Sequence, residues 1–243
     1  MKPGKKTSKP MIFQLPDEIV FPDPGLAEED GLLAIGGDLN PERLLLAYSY
    51  GIFPWFNEGD PVLWWSPPER PVFYPGKIKV SKSLKQVIRK NMFEIRIDTC
   101  FEDVMRGCAQ IRRDGGGTWI NEDMIEAYTK LHELGFAHSF ECFLDGELAG
   151  GLYGISLGKA FFGESMFFRV SNASKVAFFA LSEYLKDRAF HFIDSQITND
   201  HLLSLGAQEV NREKFMEMLQ EALKHETQPG KWNNTLGKLS SRI

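Results

Sequence analysis

The sequence lacks the long apolar runs and the leader segments that direct a chain into a membrane or out of the cell. No stretch of its 243 residues approaches the roughly 18 uninterrupted apolar residues of a membrane-spanning helix. The first ten residues, MKPGKKTSKP, are basic but contain no apolar core, so they do not form a secretory signal. We therefore expect a disordered tail over residues 1–10, no membrane partner and a cytoplasmic location.

Cysteine is scarce, and its spacing excludes the usual cysteine-based sites. The three cysteines, Cys100, Cys108 and Cys142, have no metal-ligand spacing and leave an odd number for pairing. The five histidines form no HExxH pattern, and the sequence contains no GxxxxGK or GxGxxG loop to cradle a nucleotide phosphate. These absences predict reduced cysteines and no metal site.

The charge is modest overall but unevenly distributed. The net charge of −5 argues against non-specific binding to nucleic acid, which depends on Lys and Arg neutralising phosphates. Residues 77–91, however, contain six basic residues and no acidic one. If Ser81 caps a helix there, one face is apolar and the opposite face is free to contact phosphate. That basic face consists of Lys82, Lys85 and Arg89. A merely solvated helix face is the open alternative.

Proline, glycine and aromatic residues in the first third of the chain indicate a short helix followed by an irregular segment. Asn40, Pro41 and Gly51 predict a helix with an N-cap, a proline in its first turn and a glycine at its end. Residues 51–75, GIFPWFNEGDPVLWWSPPERPVFYP, contain too much proline for a regular helix and too many aromatics for a linker. We place a domain boundary near Ser66–Arg70, which gives a small N-terminal domain over 1–66 and a larger domain over 67–243.

The larger domain shows a regular alternation of helix and strand signals. Capping and stop residues predict a helix over 82–90, a capping box at Thr99 and Glu102, a helix from Asn121 to Gly135 and a long helix over 173–187. Three strand-like runs, SFECFL, ELAGGLYGISL and KAFFGESMFF, are joined by short turns. This order predicts an α+β fold with a mostly antiparallel meander.

One strand contains polar residues that a buried strand would not be expected to carry. In FIDSQITNDHLLSLGA, residues 192–207, alternation places Asp194 and Gln196 on the same face. They either bridge neighbouring backbone groups, as buried polar side chains usually do, or form a site at the strand end.

Three further features have a functional and a structural interpretation. GISLG matches the nucleophile-elbow pattern around Ser156, but the strand that follows favours a hairpin turn over a hydrolase site. Glu164 lies among phenylalanines and needs a partner there. Trp119 follows three glycines and either stacks on a base or covers a loop.

Seven motifs in order carry a resemblance to a known family. They are GLLAIGGDL, GIFPWF, WWSPPER, GTWI, GESMF, NASK and FIDSQITNDHLLSLGA, from about Gly31 to Val210. Together they resemble the bacterial leucyl/phenylalanyl-tRNA–protein transferases. The resemblance implies a C-terminal domain with a GNAT-like acyltransferase fold. It also implies transfer of leucine, phenylalanine or methionine from tRNA to proteins that begin with Lys or Arg, which marks them for degradation.

The implied chemistry needs no cofactor, because an aminoacyl ester is already activated. Where acetyl-CoA enzymes of the GNAT fold have a glycine-rich loop, this chain has RVSNASK, which disfavours acetyl-CoA as donor. A GNAT-like transferase with another donor and a non-catalytic tRNA-binding module are the alternatives.

The resemblance also assigns roles to residues. For Asp194 and Gln196 two arrangements are open. In the one that we infer from the residue chemistry, Asp194 orients the acceptor amine and polarises it or takes its proton, while Gln196 hydrogen-bonds the amine or the ester oxygen. In the one that the resemblance implies, Gln196 is held by Asp194 and contacts the amine directly. The third catalytic candidate is Glu164, which by resemblance lies near the reacting centre and is expected to receive the acceptor's Lys or Arg side chain. The apolar pocket for the aminoacyl side chain comprises Leu152, Phe161, Met166, Phe178, Leu185 and Ile193. The residues expected at the terminal adenosine of the tRNA are Trp55 and Trp119, with Tyr48, Tyr128 and Asn199 as helpers. Lys82, Lys85 and Arg89 are expected to contact phosphates of the acceptor stem.

Overall fold

Two β-sheets of unequal size organise the chain in the computed structural model, which describes residues 12–114, 118–232 and 239–243. The tail expected over residues 1–10 lies outside these ranges. The strands are β1 Phe13–Leu15, β2 Leu32–Gly36, β3 Phe53–Pro54, β4 Leu63–Trp65, β5 Glu69–Phe73, β6 Glu94–Ile97, β7 Ala137–Leu144, β8 Glu147–Leu157, β9 Ala160–Phe168, β10 Phe192–Asp194 and β11 Gln208–Asn211. The helices are α1 Pro41–Ser49, α2 Lys82–Lys90, α3 Phe101–Asp114, α4 Glu122–Glu133, α5 Ala173–Asp187, α6 Asp200–Leu205 and α7 Arg212–Leu223.

The sheet order confirms the mixed α+β class. The small sheet has the order β1-β2-β4-β3, and the large sheet has the order β11-β5-β10-β9-β8-β7-β6. Neighbouring strands of the large sheet are antiparallel except β9 and β10, which are parallel. The boundary placed after residue 66 falls between β4 and β5, the last strand of the small sheet and the first of the large one. The division into two domains stays a prediction, because one cluster of buried side chains continues across it.

Local signals placed several helix ends correctly. Ser81 Oγ accepts a hydrogen bond from the Leu84 amide at 3.1 Å, and Asn121 Oδ1 accepts from the Met124 amide at 2.9 Å. The capping box at Thr99 and Glu102 is wrong. The Thr99 hydroxyl donates to Glu141, a buried residue of β7, so a long-range partner replaces the local one.

GISLG is mostly strand: residues 154–157 belong to β8 and only Gly158 lies in the hairpin turn before β9, so the turn interpretation holds for Gly158 alone. Ser156 lies inside β8, pairs with Phe161 of β9 and is buried, so it is not displayed on a strand-to-helix elbow. Within the described ranges, no helix has the length and apolar character needed to cross a membrane.

Helices cover both faces of the large sheet. On one face α3, α4 and α7 join α1 of the N-terminal region in a common core. On the other face α5 and α2 form a second core. Alternation along the strands separates the two, so that Phe162 belongs to the first core and Phe161 to the second.

The parallel strands β9 and β10 separate soon after they pair. Ala160, Phe161 and Phe162 are paired with the three residues of β10, but the rest of β9 continues without β10. After Asp194 the chain leaves the sheet, and Gln196 adopts a left-handed backbone conformation with φ of 56°. The separation opens a cavity between the second half of β9 and residues 195–199.

Candidate active site

A cavity of about 670 Å³ lies at this separation of β9 from β10. Its walls come from β3 and the following Trp55, from Trp119 before α4, from β8, β9 and α5, and from Ile193 of β10 with residues 195–199, 201 and 202. Most of its lining is apolar, and Glu164 and Gln196 bring polar groups to it. A largely apolar cavity with a few converging polar groups is the usual form of a small-molecule site.

A β-bulge sets the direction of Glu164. Tyr153 of β8 is paired with Ser165 of β9, whereas the next residue, Gly154, is paired with Gly163. Glu164 is thus the additional residue of β9 at this point. Bulges of this kind turn one side chain away from the regular alternation and are frequent beside active sites. A Cβ at residue 154 would lie 2.2 Å from the Phe162 carbonyl oxygen, so this close approach requires glycine.

Three hydrogen-bond donors converge on the Glu164 carboxyl group. The Tyr48 hydroxyl donates to Oε1 at 2.8 Å, and the Gln196 side-chain amide donates to the same oxygen at 2.9 Å. The Tyr128 hydroxyl is 3.4 Å from Oε2 and also hydrogen-bonds the Tyr48 hydroxyl. Each partner comes from a different element, namely α1, α4 and the loop after β10. The carboxyl group is therefore held in one orientation at the cavity wall.

The surroundings of Glu164 raise the pKa of its carboxyl group into the neutral range. Burial raises the pKa of Glu164 to about 8, because the apolar environment disfavours the charged form. The hydrogen bond from Tyr48 opposes this shift, and the negative charge of Asp194 adds to it. Burial, reinforced by the charge of Glu164, also raises the pKa of the Tyr48 and Tyr128 phenols well above its usual value. Both phenols consequently remain donors, while the carboxyl group changes charge near pH 8.

Gln196 lines the cavity and uses its side-chain nitrogen on Glu164. Because its Nε2 donates to Glu164, Oε1 is the acceptor that this side chain can offer to a bound ligand. The strand expected through Gln196 is wrong, since β10 ends at Asp194 and Gln196 belongs to the following loop.

Asp194 lies behind Gln196, away from the cavity. Its side chain is fully buried and forms a bidentate ion pair with Arg70, in which Nε donates to Oδ1 at 3.1 Å and Nη2 donates to Oδ2. The backbone amide of Gln196 also donates to Asp194 Oδ1, at 3.1 Å. This placement contradicts the expectation that Asp194 touches the acceptor amine directly. It agrees with the alternative in which Asp194 holds Gln196.

Four of the six residues expected to form the apolar pocket line the cavity. These are Leu152, Met166, Phe178 and Ile193. The other two, Phe161 and Leu185, do not line it and are fully buried in the second core. Leu181, which was not expected, does line the cavity. It lies three residues after Phe178 on α5 and therefore on the same helix face, a signal available in the sequence.

The aromatic residues expected at the adenosine fall into two groups. Trp55, which is 40% exposed, and Trp119, which is partly buried, both line the cavity. Tyr48 and Tyr128 are fully buried beneath Glu164, so their rings are not accessible to a base and the expectation of a direct contact is wrong. Asn199 lines the cavity, but its side chain caps α6 by accepting from the Leu202 amide at 2.9 Å.

The basic face of α2 is formed as expected. Leu84 and Ile88 are buried, and the side chains of Lys82, Lys85 and Arg89 are exposed. The segment before α2 is tied to the end of α6 by a hydrogen bond from the Lys79 amide to the Leu205 carbonyl oxygen at 2.8 Å. As α6 lines the cavity with Leu202, this contact connects the basic helix to the cavity wall.

No grouping of three or more His, Cys, Asp or Glu side chains suited to a metal ion occurs among the residues that the structure describes.

Comparison with known proteins gives consistent matches over most of the chain. Residues 72–220 match the family model described as leucyl/phenylalanyl-tRNA protein transferase, and residues 37–68 match the model of its N-terminal domain. A leucyl/phenylalanyl-tRNA–protein transferase of Desulfatibacillum aliphaticivorans is 55% identical over 223 residues, which cover 91% of this chain and 96% of that protein. The protein of the same name from Thermodesulfovibrio yellowstonii is 54% identical over 222 residues, covering 91% of each chain. Among solved structures, an aminoglycoside acetyltransferase from an uncultured soil metagenomic sample matches with a TM-score of 0.37 and 14% identity, over 61% of this chain and 99% of that one.

Proposed function

Because the chain belongs to the leucyl/phenylalanyl-tRNA–protein transferase family, we propose that it transfers an aminoacyl group from tRNA to the N-terminus of a protein. The transferred residue is leucine or phenylalanine, and also methionine. The acceptor begins with Lys or Arg, and its new N-terminus marks it for degradation in the cytoplasm. The observation that carries this proposal is the hydrogen bond of 2.9 Å between Gln196 and Glu164, which sets a polar pair against the apolar wall of the cavity.

The donor, an aminoacyl-tRNA, places its aminoacyl side chain in the apolar part of the cavity and its terminal adenosine in the part lined by tryptophans. Leu152, Met166, Phe178 and Ile193 surround the aminoacyl side chain. Burying a leucine or phenylalanine side chain contributes about 1.5–3 kcal/mol. An apolar pocket distinguishes similar apolar side chains only modestly, which suits an enzyme that accepts leucine, phenylalanine and methionine.

The nucleic-acid part of the donor is held by stacking and by charge. Trp55 and Trp119 stack on the terminal adenosine, because both line the cavity. Lys82, Lys85 and Arg89 contact phosphates of the acceptor stem. Phosphate contacts position a nucleic acid without reading its sequence, so tRNAs that carry different amino acids are bound alike.

Glu164 receives the basic side chain of the acceptor. A Lys or Arg cation beside this carboxyl group favours its charged form, and the phenol of Tyr48 continues to donate to it. A carboxyl group with a pKa of about 8 is largely neutral when the site is empty at pH 7. The ion pair consequently forms only when a cation enters, and an uncharged first residue has no partner there.

Gln196 Oε1 accepts a hydrogen bond from the acceptor α-amine. The amine, whose pKa is near 8 in an unperturbed chain, attacks the ester carbonyl carbon as a neutral group. The new carbon–nitrogen bond forms, the bond from the carbonyl carbon to the adenosine ribose oxygen breaks, and the amine proton passes to that oxygen. The amide orients the amine and stabilises the positive charge that develops on nitrogen. Orientation of two reactants can lower a barrier by about 7–11 kcal/mol.

Asp194 supports this step through the backbone. It accepts the amide hydrogen of Gln196 at 3.1 Å and thereby fixes the residue that carries the reacting amide. We assign Asp194 and Gln196 as a pair in which Gln196 touches the substrate.

A peptide-transfer assay tests the proposal. Purified protein is supplied with labelled leucyl-tRNA and a peptide that begins with Arg, and the product is identified by mass. Matched peptides that begin with citrulline or Asp, and acetyl-CoA in place of the charged tRNA, are the controls. We expect a leucyl-arginyl peptide only in the first reaction. Transfer to the Asp peptide at the same rate would remove the role of Glu164, and the absence of any leucyl product would overturn the proposal.

A further inference from the structure

Arg70 of β5 is a fully buried cation that does not line the cavity. Its side chain is 1% exposed, and its guanidinium group is bound from three regions of the chain. It pairs with Asp194 at the end of β10, donates from Nη1 to the Gly51 carbonyl oxygen at 2.6 Å, and lies 4.2 Å from the ring centre of Phe215 in α7. The Phe53 ring centre is 5.1 Å away.

A buried arginine of this kind calls for an explanation beyond stability. Removing a guanidinium group from water is costly, and apolar residues of the same volume often replace a buried ion pair without loss of stability. A guanidinium fork differs from such residues by fixing the position of a carboxylate in two directions.

One arm of Arg70 determines where Gln196 lies. Asp194 Oδ1 accepts from Arg70 Nε and from the Gln196 backbone amide, each at 3.1 Å. Gln196 has a φ of 56°, a conformation that non-glycine residues rarely adopt and that surrounding contacts must impose. The contacts from Arg70 through Asp194 thus reach the backbone of Gln196, whose side-chain amide donates to Glu164.

The second arm of the guanidinium group, Nη1, fixes another wall of the cavity, formed by Phe53, Pro54 and Trp55 and called here the Trp55 wall. Gly51 comes directly before the segment that leads through Phe53 and Pro54 to Trp55, all three of which line the cavity. A Cβ at residue 51 would lie 2.8 Å from the Phe215 ring, so this segment is tightly seated against α7 as well as against the guanidinium group.

We propose that Arg70 is a positioning residue for aminoacyl transfer, which holds the Gln196 amide and the Trp55 wall in a fixed relation through Asp194 and the Gly51 carbonyl group. The inference rests on the proposed function. It assigns to Arg70 the alignment of the acceptor amine, held at Gln196, with the ester carried by the adenosine at Trp55.

Steady-state kinetics of Arg70→Lys test this role, because lysine keeps the charge but loses the fork. We expect kcat to fall about 100-fold, the scale associated with misplacing reacting groups by about 1 Å. The KM for leucyl-tRNA should rise several-fold, because the Trp55 wall is released. Asp194→Asn should lower kcat and leave that KM nearly unchanged, because it disturbs only the first arm. Arg43→Lys is the matched control. Arg43 is equally buried and binds the Pro16, Asp17 and Glu18 carbonyl groups and the Asp38 carboxylate, none of which lines the cavity.

Two further measurements separate positioning from folding. Guanidinium ion at a sub-denaturing concentration should restore part of the kcat of Arg70→Ala, whereas urea and sodium chloride should not. Arg70→Gln combined with Asp194→Asn should lose no more activity than the worse single variant, as expected for residues that act as a unit. If Arg70→Ala does not fold, Arg70→Lys decides the question.

Full activity of folded Arg70→Lys, or a loss equal to that of Arg43→Lys, would overturn this inference and leave the proposed function intact. An inactive wild-type protein would instead overturn the proposed function.

Discussion

The raised pKa of Glu164 predicts that binding of the acceptor depends on pH. An empty site with a pKa of about 8 is ionised to roughly one part in ten at pH 7 and one part in a hundred at pH 6. If the carboxylate must be charged to pair with the acceptor's Lys or Arg, the apparent affinity should rise about tenfold per pH unit from 6 to about 8. Above pH 8 it should level off.

The assay must separate Glu164 from the acceptor α-amine, which titrates in the same range. A des-amino arginyl peptide keeps the guanidinium group but has no α-amine, so its equilibrium dissociation constant reports the carboxyl group alone. The same peptide with a citrulline-like side chain, which is isosteric and uncharged, should bind independently of pH. Glu164→Gln should also bind the des-amino peptide without pH dependence.

A flat profile for the wild-type protein would refute the assignment of Glu164 as the acceptor-binding group. An unchanged slope in Glu164→Gln would show that another group titrates. Binding can be followed by tryptophan fluorescence, because Trp55 and Trp119 line the same cavity.

Further predictions concern stability, turnover and tRNA affinity. The folded-state pKa of Glu164 is raised from 4.5 to about 8, so the wild-type protein should lose stability as pH rises between these values. The melting temperature of Glu164→Gln should therefore rise relative to that of the wild-type protein from about pH 5 to 8, and the difference should stay constant above pH 8. Asp194→Asn should lower single-turnover transfer by about 100-fold while filter binding of charged tRNA is unchanged; equal losses in both would indicate a purely structural role. Reversing charge at Lys82 and Lys85 should weaken tRNA binding and reduce its salt dependence by about one phosphate contact for each residue changed, and an unchanged salt slope would exclude this helix face as the phosphate contact.

The sequence predicted the features that depend on local chemistry. Ser81 and Asn121 cap their helices because their side-chain oxygens reach amides three residues ahead. Phe178 and Ile193 were identified as pocket residues, by resemblance, and both line the cavity. The caps needed no knowledge of distant partners, since a cap is set within a few residues of the chain, whereas the pocket residues depended on the family resemblance.

The sequence did not predict how distant residues meet at the site. Asp194 was expected to face a substrate, but its partner Arg70 lies 124 positions earlier, and no local pattern announces that pairing. The bulge at Glu164 depends on the register between β8 and β9, which period-two alternation alone does not specify. Tyr48 and Tyr128 were correctly placed near the site but in the wrong role, because only the three-dimensional arrangement shows that they donate to Glu164.

The hydrogen bond from Tyr48 to Glu164 joins a helix of the N-terminal region to the large sheet, which bears on how the two regions evolve. The phenol belongs to α1 of the first region and the carboxyl group to β9 of the second. A gene that lost its first 66 codons would still encode the seven strands of the large sheet, but the Glu164 carboxyl group would lose the hydrogen bond from Tyr48, which lowers its pKa. Selection acting on the reaction therefore acts on both regions together. Exchange of either region by recombination would change the hydrogen bonding and the pKa of Glu164 unless the other region changed with it.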